Sequence, residues 1–207
     1  MPTHCDGEDS ARDWRASVSS GAVRSEISFD GMDVPFEQLT ISASLGRQLT
    51  TRLGLTASAG AVVFGSTEVA GTDGEFEAGF SGSLSLSYLA IYEGERTPFL
   101  LGSLSLGMLT ARAEAQGAVN RWTAGDMRLG LMLGKTLADR YVPFVVGRVF
   151  GGPVSWRIAD DDVTGSDVHK YTAGAGFTMR IPNILDLFAE VLPIGEQSAS
   201  LGALLRF

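Results

Sequence analysis

LFAEVLPIGEQSASLGALLRF, Leu187 to Phe207, closes the chain, and its reading decides the fold. In its last segment Ala199, Leu201, Ala203, Leu205 and Phe207 fall on one face, and Ser198, Ser200, Gly202, Leu204 and Arg206 on the other. The side chains of a strand alternate between faces, so this is a strand with one apolar and one mostly polar side. A short turn at Ile194, Gly195, Glu196 and Gln197 joins it to a second extended segment, and the chain ends on an aromatic residue.

The same alternation recurs upstream. Between Phe76 and Tyr92 the face Phe76, Ala78, Phe80, Gly82, Leu84, Leu86, Tyr88, Ala90, Tyr92 opposes Glu77, Gly79, Ser81, Ser83, Ser85, Ser87. Further strands are predicted over 36–46, 53–63, 99–113, 121–137, 141–158 and 170–180. A first strand runs from Trp14 to Phe29, with Trp14, Ala16 and Val18 opposite Arg15, Ser17 and Ser19. Its phase slips near Gly21, which reads as a bulge. The phase of the seventh is ambiguous, since Phe144 and Val146 share a face with Arg148, and Gly151, Gly152 and Pro153 are expected to bend it or place a bulge there. The expectation is an all-β, closed, antiparallel up-and-down barrel of about ten strands, with eight as the alternative. Connections two, four, six and eight (RQLT, EGERTP, ADR, PNILD) are short, whereas one, three, five and seven are longer and richer in Gly and acid. A transmembrane barrel with both termini at one side shows that parity.

Composition narrows the class. The 26 glycines are far above average and the 19% of charged residues below it. A net charge of −8 with no basic stripe argues against a nucleic-acid partner. Cys5, the single cysteine, sits in the polar start, so no internal disulfide is possible. Residues 1–12 read as a flexible tail and 13–207 as the barrel. No apolar run is long enough for a transmembrane helix, which a barrel does not need. No signal peptide is evident, so it is taken to be removed or missing from this sequence.

Periodicity alone does not say which face is wet. Three features favour an apolar exterior and a polar lumen. Aromatic residues fall at strand ends as two girdles: Trp14, Tyr88, Tyr92, Phe99, Tyr141 and Phe207 at one rim, and Phe29, Phe36, Phe76, Phe80, Trp156 and Tyr171 at the other. The polar face is compact Ser, Gly and Thr rather than Lys and Glu. The mid-strand charges have both signs: Arg52, Asp126, Arg128, Arg148, Lys170, Arg180, Glu190 and Arg206 are expected to form a lumen network. Facing lipid, each could cost ~2–4 kcal/mol.

On these residues the chain, from about 14 to 207, resembles the small bacterial outer-membrane β-barrels, the broad OmpA-like and opacity-protein-like group. Leu201, Ala203, Leu205 and terminal Phe207 resemble the signal by which such proteins are taken up by the barrel-assembly machinery, although Leu205 stands where an aromatic residue is common. The resemblance implies an outer-membrane monomer with periplasmic termini, in contact with membrane lipid and lipopolysaccharide, without a cofactor.

Chemistry is sparse. His169 follows Asp160, Asp161, Asp162 and Asp167, so a rim-site hydrolase, a protease or lipid deacylase with His169 as general base, is one reading. Asp73, Glu75, Glu77 and the Asp160–Asp162 run could collect Ca²⁺ or Mg²⁺ shared with lipopolysaccharide phosphates, or simply hydrate the rim. No metal-ligand, phosphate-loop or nucleophile-elbow motif occurs. The sequence thus leads to a non-enzymatic barrel, either structural or a narrow small-solute channel. A hydrolase and a surface-binding module acting through outer loops remain the rivals.

Overall fold

The structure, a computed structural model, describes residues 14–29, 32–69, 72–76, 79–115, 118–158, 161–182 and 185–207. The tail read at 1–12, with Cys5 and His4, lies outside the described residues. Thirteen antiparallel strand segments occur among them: β1 (Trp14–Phe29), β2 (Met32–Gln48), β3 (Leu53–Val69), β4 (Thr72–Phe76), β5 (Gly79–Ile91), β6 (Phe99–Ala115), β7 (Ala118–Gly134), β8 (Tyr141–Gly151), β9 (Pro153–Ile158), β10 (Asp161–Asp167), β11 (Tyr171–Ile181), β12 (Leu185–Gly195) and β13 (Gln197–Arg206).

They make one closed wall. Near the chain termini ten strands follow each other around the barrel: β1, β2, β3, β5, β6, β7, β8, β11, β12 and β13, with β13 returning to β1. Trp14 and Phe207 complete that seam with reciprocal backbone hydrogen bonds of 3.2 and 3.1 Å. At the far end the wall has eight strands. The hairpin β12–β13 is short and stops at Glu196, and above it β10 pairs directly with β1 through Ile27↔Asp167 and Ser28↔Ser166. β4 and β9 there take the places of β5 and β8. The two strand numbers that the sequence allows therefore both occur, ten below and eight above, because one hairpin ends early.

The stretches read as the longer outer connections are largely strand. β1 and β2 run up to Phe29 and from Met32, and the acidic stretch 161–167 is β10. β2, β3, β6 and β7 each have 17 residues, or about 58 Å of strand. Tilted by ~40°, that is about 44 Å, well beyond the ~25 Å apolar band of such barrels. The bulge expected near Gly21 does not exist, for β1 keeps continuous register with β13 from Arg15 to Arg24 and with β2 throughout. What changes is the chemistry of each face. Ser17, Ser19, Val23, Ser25, Ile27 and Phe29 all point inward, while Val18, Ala22, Arg24 and Glu26 point outward. β2 behaves alike: Leu39, Ile41 and Leu45 are exposed below, Asp33, Pro35 and Glu37 above, and Val34 and Phe36 are buried inside. Arg24 and Glu37 pair across the outer surface at 3.3 Å. The strands pass from a section that is apolar outside to a collar that is apolar inside, as a wall leaving hydrocarbon for water must.

Along β8–β9 the ladder pauses at Gly152 without a change of register, since Met127↔Gly151 and Ala124↔Val154 keep one pairing phase. The shifts that do occur lie at Leu39/Thr40, Leu89/Ile91 and Ala173/Ala175.

Candidate functional site

The lumen is where polar chemistry converges, and the two halves of the wall treat it differently. At mid-depth β1 to β6 present small residues to it. Ser19 and Ser42 are hydrogen-bonded at 2.9 Å, Ser17 bonds Ser44, and Ser87 Oγ donates to the Gly54 carbonyl at 3.3 Å. β7, β8, β11 and β12 send long or bulky groups across to meet them.

At the terminal mouth Arg206 pairs with Asp186, and with Arg15 and Arg180 they line a space of about 280 Å³. Deeper in, Phe99, 1% exposed, packs with Leu89 and Val142, backed by Leu101 and Met132. Arg148 reaches Glu190 at 2.8 Å beside Phe144, Val146 and Leu192. Next Arg128 holds both Asp126 and Glu196, the latter at 2.9 Å, with its guanidinium 4.7 Å from the Phe150 ring. Glu196 is 4% exposed although it sits at a hairpin tip. Its placement is enforced locally: its backbone N–H donates to the Tyr171 carbonyl at 3.1 Å, and its own carbonyl accepts from Thr172 Oγ1 at 2.7 Å. Gly195 before it has φ of +77°, and a Cβ there would overlap the Tyr171 carbonyl oxygen.

The collar is filled by Ile27, Phe29, Val34, Phe36, Ala111, Trp122 and Val154. Trp122 is 1% exposed, parallel to Phe36 at 5.6 Å and edge-on to Phe29 at 5.8 Å. Beneath this cap lies a cavity of about 330 Å³, bordered by Ser25, Gln38, Asp126, Arg128, Asp167 and Glu196. Asp167 stands above the ten-stranded wall, and its carboxyl is pushed up to about 6. Burial is the main cause and the Glu196 carboxylate adds to it, against the pull of Arg128.

Asp126, Arg128, Arg148, Arg180, Glu190 and Arg206 of the expected network thus share the lumen, in separate layers rather than one chain. Arg52 does not belong to it. It lies in the turn before β3, hydrogen-bonded to the Tyr88 hydroxyl at 3.4 Å and over the Tyr92 ring at 4.8 Å, on the outer surface of the rim. Alternation assigned it inward, but the strand begins one residue later. Lys170 sits in the break between β10 and β11 with an exposed side chain. Leu201, Leu205 and Phe207 face outward, Leu201 at 64% exposure.

The terminal-side girdle contains Trp14, Tyr88, Tyr92, Tyr141 and Phe207, all exposed, but not Phe99, which fills the lumen. At the other rim Phe80 and Tyr171 face out, joined by Phe64, whereas Phe29 and Phe36 turn inward into the cap. The side chains of Phe76 and Trp156 lie outside the described residues. Of the inward residues outside the expected network, Trp122 on β7 and Leu192 on β12 carried no signal, whereas Val142, Phe144 and Phe150 on β8 had one. In β8 both faces are apolar, which marks a strand packed on both sides.

His169 packs edge-on near Tyr171, ring centroids 6.4 Å apart. Asp161 and Asp162 begin β10, and His169 follows the other end of that strand. Among the described residues no group of three His, Cys, Asp or Glu is arranged to hold a metal ion. Glu77 and Asp160 lie outside those residues.

No family model matches the chain, and no curated protein matches it by sequence. Solved structures do match in shape. The translocator domain of autotransporter NalP from Neisseria meningitidis superposes with a TM-score of 0.58 at 12% identity, over 97% of this chain and 90% of that one. The β domain of the Bordetella autotransporter BrkA gives 0.58 at 12%, over 94% and 100%. The outer-membrane protein OprG from Pseudomonas aeruginosa gives 0.50 at 11%, over 95% and 96%. At such identities the likeness shows the fold alone, and that fold is the outer-membrane β-barrel.

Proposed function

We propose that this outer-membrane-type β-barrel is an integral bacterial outer-membrane protein, a monomer with both termini on the periplasmic side and no catalytic activity. Its exterior supports the location. Val18, Ile41, Leu84, Leu106, Met127, Leu131, Val145 and Leu201 form an exposed aliphatic belt that water would not tolerate, whereas lipid would. Leu201, Ala203, Leu205 and Phe207 serve as its assembly signal, and membrane lipid and lipopolysaccharide are its surroundings.

Of the two non-enzymatic roles, structural barrel and narrow channel, the first is favoured by one observation: the collar is plugged by Trp122, Phe36, Phe29 and their neighbours. A hydrated ion passing that cap would lose its water without gaining partners, at a cost of several kcal/mol. The test is twofold. Detergent-extracted protein should migrate differently on a gel before and after boiling, and purified barrel should be silent in a planar bilayer. Steady single-channel currents from the unmodified protein would overturn the closed reading. Solubility without detergent would overturn the membrane reading.

A surface-binding role is the second reading, because β1, β2 and β6 carry Arg24, Glu26, Glu37 and Arg112 on their exposed outer faces beyond the apolar belt.

A further inference from the structure

The cavity beneath the cap has two chemically distinct sides. Phe36 and Trp122 border it with parallel rings. Opposite stand Asp126, Asp167 and Glu196, three carboxylates facing one guanidinium, and Arg128 already spends its contacts on Asp126 and Glu196. No ion pair to Asp167 occurs among the described residues. Ser25, on the inward face of β1 opposite Phe36, is 6% exposed and borders the same space, and its hydroxyl has no hydrogen-bond partner among the described residues. Gln38 Oε1 is in the same condition two residues along β2. A buried hydroxyl or amide oxygen left unpaired costs about 1–3 kcal/mol, so two of them around one cavity call for a donor inside it.

We propose that this cavity is a binding site for a small organic cation, a primary ammonium on an apolar or aromatic body. The ammonium has three donors and no acceptor, and Asp167, Ser25 Oγ and Gln38 Oε1 supply three acceptors. The body lies against Phe36 and Trp122, where a ring face also attracts positive charge. The volume, about 330 Å³, is at the lower end of the ~300–1,000 Å³ usual for small-molecule sites. An anion is disfavoured by the excess of carboxylates, and a purely apolar ligand would leave Ser25 and Gln38 unpaired. The site is independent of whether the barrel conducts.

Benzylammonium and benzoate test it, because they share a body and differ in the sign of the charge. Each is added during refolding of the full chain in detergent, so that entry through the cap is not limiting, and binding is then followed by calorimetry at neutral pH. Benzylammonium is expected to bind saturably and benzoate not. Asp167→Asn should weaken benzylammonium about tenfold or more, and Ser25→Val, which removes the hydroxyl and narrows the space, should weaken it too. The boiled and unboiled gel forms report whether each variant folded, and if one does not fold the other decides. Equal binding of benzoate, no binding of benzylammonium up to tens of millimolar, or unchanged affinity in a folded variant would each overturn the proposal.

Discussion

Leu131→Arg separates a membrane wall from a soluble one more sharply than any other single change. Leu131 is outward on β7, 61% exposed, between Leu129 and Leu133, and pairs with Gly102 and Gly147 on its neighbours. The outward apolar ladder on β6 next to it runs from Leu100 to Met108, about 30 Å of strand and about 23 Å of height at a ~40° tilt. That matches the ~25 Å apolar band, and Leu131 lies two residues below the centre of this ladder and two above the centre of the exposed face Tyr141–Val149 on β8, hence near mid-depth. In water an exposed Leu→Arg change is within about 0.5 kcal/mol of neutral. In lipid an arginine at mid-depth costs ~2–4 kcal/mol, roughly a 30- to 800-fold shift in the folding equilibrium. Glu26→Arg is the control. Glu26 is exposed on the outward face of β1 above the belt, so it should cost nearly nothing. Both variants are unfolded reversibly with guanidinium in phospholipid vesicles and compared with the unmodified protein. A cost below about 0.5 kcal/mol for Leu131→Arg, or equal costs for the two variants, would refute the division of the wall into a lipid-facing section and a wet collar.

Gly195→Ala should lose about 1–2 kcal/mol in the same titration, because alanine resists φ near +77° and its Cβ would meet the Tyr171 carbonyl. For Arg148 and Glu190, whose side chains keep 26% and 12% of their exposure, Arg148→Met and Glu190→Gln alone should each cost more than half of what the double variant costs, since each single change strands a charge in the lumen. A double-mutant cycle with no coupling would contradict the pair. Opening the cap with Phe36→Ala and Trp122→Ala together should produce bilayer currents where the unmodified protein has none, and continued silence would place the block in the deeper layers of Phe99 and Phe144. Asp167, facing Glu196, Asp126 and Arg128, has its carboxyl raised from 3.8 to about 6 in the folded state. The folded protein then binds the extra proton between pH 4 and 6, so stability falls as pH rises through that window. Asp167→Asn should recover of the order of 1 kcal/mol at neutral pH, after allowance for partial solvent screening, and nothing at pH 4. Equal gains at both would rule the carboxylate out as the source.

The sequence by itself determined the strand character of nearly the whole chain, the closing hairpin and the short turns on one side. It also determined which residues share a face: Ser81 to Ser87, or Leu201, Ala203 and Leu205. Period-two alternation is a local property, and a strand obeys it whatever surrounds the strand. Tertiary structure decided what each face meets. The slip near Gly21 looked like a defect of geometry because Val23, Ile27 and Phe29 fell on the supposedly polar face, and one sequence does not record where a wall leaves the membrane. It took the pairing of β10 with β1, partners some 140 residues apart, to build an eight-stranded collar whose inside is dry. The fate of the lumen was non-local for the same reason. Small residues at mid-depth on β1 to β6 leave room, and whether that room is a pore depends on Arg128, Phe144 and Arg148 reaching across from the other half of the wall, and on Phe99 at the terminal end of β6. The terminal hairpin shows both sides of this division. Its alternation and its Gly195 turn could be read from the residues alone. That its tip would end below the rim and turn Glu196 inward to Arg128 was fixed only by the closure of the barrel above it.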